Sequence, residues 1–481
     1  MSDLPPGIAS PTLSRSLGTT TAIAMVVGSV IGSGIFLKPG VIAGAGGQFP
    51  LIITAWIVGG VVCLFGGLCM AELALMMPKA GGHYVYVREA YGRPAAFLSG
   101  WNDTLLVQPA ANGALAFACI GALARMSGYT ISVWPTALAA ILIIVILTSL
   151  NVVGVAWGGL VQTLTTFIKG GFLVIFALLP IIMFFIGSGD SASLENLASR
   201  DLPDDMSLTK RLTVVFLAIM WAYSGWHYVT PVAEEIKNPE KNITRALIWG
   251  ILILLALYVA FTVAMHVILP MSEIAGDIAD KTRLPQHAPQ RAIERLFESQ
   301  GPALSALAGR VLSAVVMIST FSAINAGLLV VPRVTFAMAR DRVFFPSLGH
   351  IHPRFNTPSR SILLQGIAAI TVLLLVAVGV STLSRLEKVD PFELLTNYSV
   401  FTNVVFTVLA VSAVMVLRVR QPNRERPYRV PGYPLVPILF LVFNVWFIYQ
   451  VFANQEQDAL IGGGMIMLAI PVYYLMRRRW L

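Results

Sequence analysis

Two stretches of this 481-residue chain carry residue types that leave bare peptide groups inside otherwise apolar runs. The first, "AMVVGSVIGSGIFLKPG" (24–40), has glycines at 28, 32 and 34 and serines at 29 and 33. Each glycine costs a helix about 1 kcal/mol relative to alanine. Taken alone, the stretch reads either as a small-residue packing face for a neighbouring helix or as a place where the chain breaks. The second, "FLAIMWAYSGWHYVTPVAEE" (216–235), sets Ser224 and Gly225 among aromatics, with Pro231 behind them. Unwinding a helix in hydrocarbon strands N–H and C=O groups, at several kcal/mol each unless something satisfies them. A zwitterion satisfies both kinds. The N–H groups around Gly32, Ser33 and Gly34, at the start of a half-helix, suit a carboxylate. The carbonyls of Val30, Ile31 and Trp221 suit an ammonium.

A third feature is Lys169, set in "WGGLVQTLTTFIKGGFLVIFALLP" with apolar or small residues on both sides. An unpartnered cation at that depth costs at least about 2.5–3.5 kcal/mol, so it requires a partner or a role. Asp103, Gln108 and Asn112 recur at about one-turn spacing and face a bundle interior, with Asn112 nearest the expected substrate depth. Glu72 lies beside basic residues and reads as a cytoplasmic gate or a structural ion pair. Glu234 and Glu235 read as interface and gating charges. His83, His227 and His266 show no metal spacing, and Cys63, Cys69 and Cys119 all lie in apolar runs. No metal and no cofactor are therefore expected. There is no HExxH, GxSxG or phosphate-binding loop, so the chain is not read as an enzyme.

The elements that must position these residues are membrane helices. Of the residues, 56% are hydrophobic and 12% charged, with a mean hydropathy of +0.77; a soluble chain carries about 25% charged residues. Apolar segments long enough to span the bilayer fall at roughly 20–44, 49–75, 86–122, 132–150, 155–187, 210–233, 243–269, 303–338, 361–380, 392–417, 434–453 and 459–476. These predict an all-α polytopic membrane protein of twelve helices, numbered here in that order, and not a β-barrel, which would show short alternating segments. The formal charge of +9 is gathered in particular loops, which points to the positive-inside rule and away from nucleic acid. The short 418–429 loop holds five arginines and no basic residue separates helices 11 and 12. Both termini are therefore expected in the cytoplasm of a multi-pass cell-membrane protein. No cleavable signal peptide is expected in the first eighteen residues. The amphipathic "QRAIERLFESQ" in the long 270–302 segment predicts a short extracellular helix over the mouth of the protein.

Helices 1 and 6 hold corresponding positions if helices 1–5 and 6–10 are two copies of one unit, and paired interrupted segments of that kind point to a transporter's central site. The expected organisation is a cytoplasmic tail over 1–18 and a transport core over 19–417, with inverted repeats at about 19–187 and 210–417. Two additional helices and a short cytoplasmic tail occupy 418–481.

The motifs that carry these features resemble the amino acid–polyamine–organocation superfamily and, within it, the L-type amino acid transporters and their bacterial relatives. "GSVIGSGIF" resembles the helix-1 motif, and "WAYSGWHYVTPVAEEIKNPEKNI" the helix-6 motif and the loop behind it. Further similarity lies in "CMAELALMMPKAGGHYVYVREAYG", "GWNDTLLVQPAA", "VQTLTTFIKGG", "TFSAINAGLLVVPR" and "RQPNRERPYRVPGYPLVP". It spans nearly the whole chain, in order.

The resemblance implies a five-plus-five inverted repeat with two extra helices, with helices 1 and 6 unwound mid-membrane. It places a substrate site between helices 1, 3, 6, 8 and 10. By position, Ser33 and Gly34 would hold the substrate carboxylate, while Val30, Ile31 and Trp221 would offer carbonyls to its amino group. Trp221 would also cap the substrate as a gate, and Asn325 could reach the pocket. Ser224 stands where L-type members have glycine and His227 where they have asparagine; a hydroxymethyl at 224 narrows the pocket beside Gly225. Relatives that run without sodium place a lysine at the position of Lys169, where it would bond carbonyls of the broken helix 1 and the hydroxyls of Ser319 and Ser322. The expected function is sodium-independent secondary active transport of neutral L-amino acids by alternating access, working as an exchanger. The alternatives are a proton-coupled amino acid symporter, a cationic amino acid or polyamine antiporter, and, from a different class, a non-transporting amino acid sensor. In eukaryotic L-type members a cysteine before helix 4 bonds a glycoprotein partner. "GALARMSGYTISVWP" has no cysteine, so the expected partners are an amino acid substrate and the lipid bilayer, with no disulfide-linked heavy subunit.

Overall fold

A computed structural model describes residues 15, 17–129, 131–185, 192–203, 206–276, 287–382, 390–454 and 456–480; most of the expected 1–18 tail lies outside them. Among the described residues, eleven helices are long and apolar enough to cross a membrane, and there is no strand beyond two isolated bridges. The expected twelfth segment is two helices, Glu456–Met467 and Ala469–Trp480, each of 12 residues and too short to span alone.

Helix 1 runs Thr19–Val30, breaks over 31–33 and resumes as Gly34–Leu37. Pro39 then starts a separate piece, Pro39–Gly46, which Gly47 ends in the left-handed region with φ 65°. Helix 2 spans Phe49–Met76. The predicted third segment begins too early: His83–Tyr91 is a separate short helix, because Gly92 takes φ 89° and Pro94 follows it. Helix 3 runs Arg93–Ser127 with a wider turn over Asn102–Val107. Helices 4 and 5 are Val133–Val153 and Val155–Phe185. Helix 6 is Leu208–Ala222, followed by an irregular stretch in which Gly225 takes φ 104° before a short turn over Trp226–Val229. Helices 7, 9, 10 and 11 are Pro239–Ile268, Ser359–Thr382, Pro391–Arg420 and Leu435–Asn454. Helix 8, Pro302–Val330, ends where Pro332 removes an amide donor, and Pro332–Arg340 leaves at a new start.

Much of the packing among the first ten helices is kept when each helix of the first five trades places with its counterpart five later. Helix 3 packs on 8, helix 2 on 7 and helix 4 on 9, and each pair maps onto itself. The contact of 5 with 8 is matched by 10 with 3, that of 4 with 8 by 9 with 3, and that of 5 with 7 by 10 with 2. The two halves are built on one plan. Helix 11 stands outside it against helices 2, 6 and 10. Helices 4, 5, 9 and 11 turn large apolar side chains such as Leu138, Phe167, Leu375 and Val442 to the outside, which suits them to lipid. The expected surface helix appears as Ala288–Leu296, lying on helices 5, 7 and 8.

Candidate substrate site

The broken turns of helices 1 and 6 meet at the centre of the bundle. Gly34 lies so close to helix 6 that a β-carbon there would come 2.4 Å from Ala222 Cα. The hydroxyl of Ser29 donates to the Gly225 carbonyl at 3.0 Å, and the Trp221 indole N–H donates to the Ser33 hydroxyl at 3.1 Å. A cavity opens beside this junction. It is lined by Ser29, Val30, Gly32, Ser33 and Gly34 from helix 1 and by Trp221 and Ser224 from helix 6, opposite Gln108 of helix 3 and Asn403 of helix 10. The Trp221 ring meets the Phe392 ring edge-on, with centroids 6.0 Å apart, at the side of the cavity nearer Pro391.

The stranded carbonyls have protein partners that were not foreseen. The Tyr258 hydroxyl on helix 7 lies 3.0 Å from the Val30 carbonyl and 3.1 Å from that of Ala222. The Ser319 hydroxyl reaches the carbonyls of Ile31 and Gly32 at 2.9 and 3.0 Å. A carbonyl oxygen has two lone pairs; that of Val30 already takes a second donor, the Gly32 amide at 2.7 Å, whereas those of Ile31 and Gly32 keep capacity for another. In sequence, Tyr258 sits in an unremarkable apolar run, and no local signal marks it.

Lys169 is fully buried. Its ammonium donates to the Gly28 carbonyl, just before the break of helix 1, and to the Ser322 hydroxyl at 3.0 Å. Ser322 in turn donates to Gln162 at 3.2 Å and accepts from Thr165 at 2.7 Å. The lysine therefore has carbonyl and hydroxyl partners as expected, but Ser319 serves the broken turn directly and not the lysine.

Several expected site residues stand behind the cavity wall. Asn112 accepts from Gln108 at 2.8 Å, and Gln108 is the residue of that pair that lines the cavity. Asn325 bonds Asn151 at 2.9 Å and the Gly158 carbonyl at 3.0 Å, tying helix 8 to helices 4 and 5. Glu72 is fully buried and holds Arg418 at 2.5 Å and the Val430 amide at 2.7 Å, with Arg426 at 3.4 Å. It fastens helix 2 to helix 10 and the loop after it.

One end of the bundle carries Arg88, Arg333, Arg340 and Arg418, each paired with a carboxylate; we call it the basic end. Toward it the cavity wall includes His83, Asp103, His227 and Tyr228. His83 Nε2 is hydrogen-bonded to Asp103, and the His83 and His227 rings lie 5.3 Å apart. Burial disfavours the imidazolium, yet the adjoining Asp103 carboxylate, through charge and hydrogen bond, holds His83 above its ordinary pKa. Among the described residues, no cluster of His, Cys, Asp or Glu has the geometry to hold a metal ion.

A membrane bundle of two like-built halves, with two helices unwound face to face beside a cavity, is the architecture of a secondary transporter. The sequence profile of the amino acid permease family matches residues 17–476, and the chain belongs to that family. It is 32% identical to the serine/threonine exchanger SteT of Bacillus subtilis over 97% of this chain and 98% of that protein. It is 29% identical to the human large neutral amino acids transporter small subunit 2, covering 96% of this chain and 80% of the relative. It is 28% identical to the human cystine/glutamate transporter, covering 98% and 87%. The protein is thus a multi-pass membrane transporter of amino acids and not an enzyme.

Proposed function

We propose that the chain is a sodium-independent exchanger of neutral L-amino acids with small or medium side chains, working by alternating access. The observation that carries this reading is Lys169, whose ammonium bridges the broken turn of helix 1 to helix 8. A resident cation there supplies the positive charge that an external ion would otherwise bring. The amides of Ser33 and Gly34, beside the restart of helix 1, would hold the substrate carboxylate. The carbonyls of Val30, Ile31 and Trp221 would take the amino group, and Trp221 would close over both. Gly32, Ser224 and Gly225 would shape the pocket, and Asn112 and Asn325 would brace it from behind. In this reading Glu72 holds the closed basic end and Ser319 and Ser322 anchor the helix-8 side.

The charge distribution supports placing the basic end, with both termini, in the cytoplasm. Residues 19–417 would form the transport core and 418–481 an addition to it. The 121–135 loop lacks a cysteine, which supports activity without a disulfide-linked partner. An antiporter of cationic amino acids or polyamines would need a free acid in the cavity, and Asp103 is engaged by His83. That same pair favours a second reading, proton-coupled symport.

The test is efflux of radiolabelled alanine, serine or leucine from proteoliposomes challenged by external amino acids. Stimulation by neutral amino acids, undiminished when choline or potassium replaces sodium, supports the exchanger. Accumulation driven by a pH gradient without counter-substrate would favour symport. A large loss of exchange on sodium removal would overturn the reading of Lys169.

A further inference from the structure

A second, smaller cavity lies behind the first and shares two of its walls. Ser224 and Asn403 line both. The remainder of the smaller one is built from Cys63 of helix 2, Trp226 beyond the break, Val404 and Thr407 of helix 10, and Phe440 and Asn444 of helix 11. It has room for about one water molecule. Between the two cavities stands one contact, from the Asn403 side-chain amide to the Ser224 hydroxyl at 3.4 Å. That distance is long for a hydrogen bond, so little holds the partition shut.

We propose that Ser224 and Asn403 form a shutter that sets the upper limit on substrate side-chain length, and that the pocket behind it accepts an unbranched, uncharged side chain once the shutter is removed. The inference rests on the amino acid site proposed above and deepens it. Three observations carry it. First, two of the pocket's polar donors are already engaged: Asn444 donates to the Phe440 carbonyl at 2.8 Å and Thr407 to the Asn403 carbonyl at 2.8 Å. What meets an entering group is a mixed wall, the apolar surface of Cys63, Trp226, Val404 and Phe440 with a nearly equal share of polar surface. Second, the far wall is close-packed. A β-carbon on Gly66 would lie 2.7 Å from Phe440 and 2.8 Å from Trp226, so helix 2 lies hard against both rings. Trimming a side chain on the substrate side is then the direct way to enlarge the pocket. Third, the shutter stands at the break of helix 6, beside Gly225 and the aperture where the substrate side chain must project if its two charges sit on the broken turns. A flexible chain such as that of methionine fits a narrow, irregular space better than a branched one.

The experiment measures exchange of methionine against serine in the same proteoliposomes. Ser224→Gly deletes the hydroxymethyl and joins the two cavities, so the methionine-to-serine ratio should rise about tenfold or more, the scale on which one or two buried methylenes discriminate. Asn403→Ala opens the passage from helix 10 and should move the ratio in the same direction. Adding Cys63→Met to Ser224→Gly refills the pocket from helix 2 and should return the ratio toward that of the unaltered protein. A ratio within twofold of the unaltered protein in both opened variants, or a gain that Cys63→Met leaves in place, overturns the shutter. Failure of the unaltered protein to exchange serine or any other neutral amino acid would instead overturn the substrate reading beneath it.

Discussion

Lys38 and Glu393 close on one another at 2.5 Å, although 355 positions separate them in sequence. Lys38 sits at the end of the resumed helix 1 and Glu393 in the first turn of helix 10, so the ion pair joins the two halves at the end opposite the basic one. The Lys38 side chain is almost wholly buried. It also donates to Thr396 at 3.0 Å and lies over the Phe392 ring at 5.0 Å. Phe392 in turn bears on Trp221. The pair therefore braces the Phe392–Trp221 contact at the side of the cavity. Charge-assisted bonds contribute about 1.5–3 kcal/mol, so Glu393→Gln should slow exchange at saturating substrate by about tenfold with a smaller change in KM. Counterflow rates over a substrate series measure both, and Lys38→Glu combined with Glu393→Lys should restore part of the rate.

Lys169→Ala leaves the Gly28 carbonyl and the Ser322 hydroxyl without their cationic donor. Such a loss costs about 1–3 kcal/mol at a buried acceptor and loosens the break of helix 1 from helix 8. Exchange should fall at least about tenfold while the purified protein still elutes as a single species. Size-exclusion chromatography alongside the efflux assay separates loss of turnover from loss of fold.

Two glycine substitutions of the same kind should differ completely. At Gly34 a β-carbon would meet Ala222 Cα at 2.4 Å and its backbone nitrogen at 3.0 Å. Backbone cannot swing aside, so Gly34→Ala must separate the two broken turns and should abolish exchange. At Gly170, one residue past Lys169, nothing lies within 4 Å. Gly170→Ala should keep full activity, because alanine also favours the helix by about 1 kcal/mol.

The His83–Asp103 pair gives a pH dependence of defined sign. His83 titrates above its ordinary value of 6.5 because Asp103 adjoins it. A raised folded-state pKa stabilises the protein fully below the unfolded value, and that contribution is lost as pH climbs through the raised one. Thermal stability in detergent should accordingly decline as pH rises above the ordinary imidazole value of 6.5. His83→Gln should flatten that decline, and melting midpoints across a pH series report it. The groups facing this imidazole are Asp103 of helix 3 and His227 beyond the break of helix 6.

What could be read in advance follows the distance over which the information is carried. The two breaks are local events, written in Gly32, Gly34, Ser224 and Gly225 themselves, and the structure unwinds both helices there. Lys169 was legible because hydrocarbon forces a cation to declare itself, and its contact with Ser322 followed the expected depth. Tyr258, Lys38 and Asn403 escaped notice for the opposite reason. Each is ordinary in its own segment and takes its part from a residue 179 to 355 positions away. Asn112 and Asn325 bond to neighbouring side chains behind the cavity wall, because the side of a helix that meets a cavity is set by its packing partners and not by position along the chain. The extent of helix 3 was misjudged because Gly92 supports a sharp turn inside what reads as one apolar run.

The Tyr258 hydroxyl carries a single hydrogen, yet two carbonyls from opposite halves, those of Val30 and Ala222, compete for it. Each of those carbonyls closes the last helical turn before a gap, so one phenol pegs both interrupted helices to helix 7. Neither can tilt without dragging its counterpart along, which makes the two gaps a single moving part.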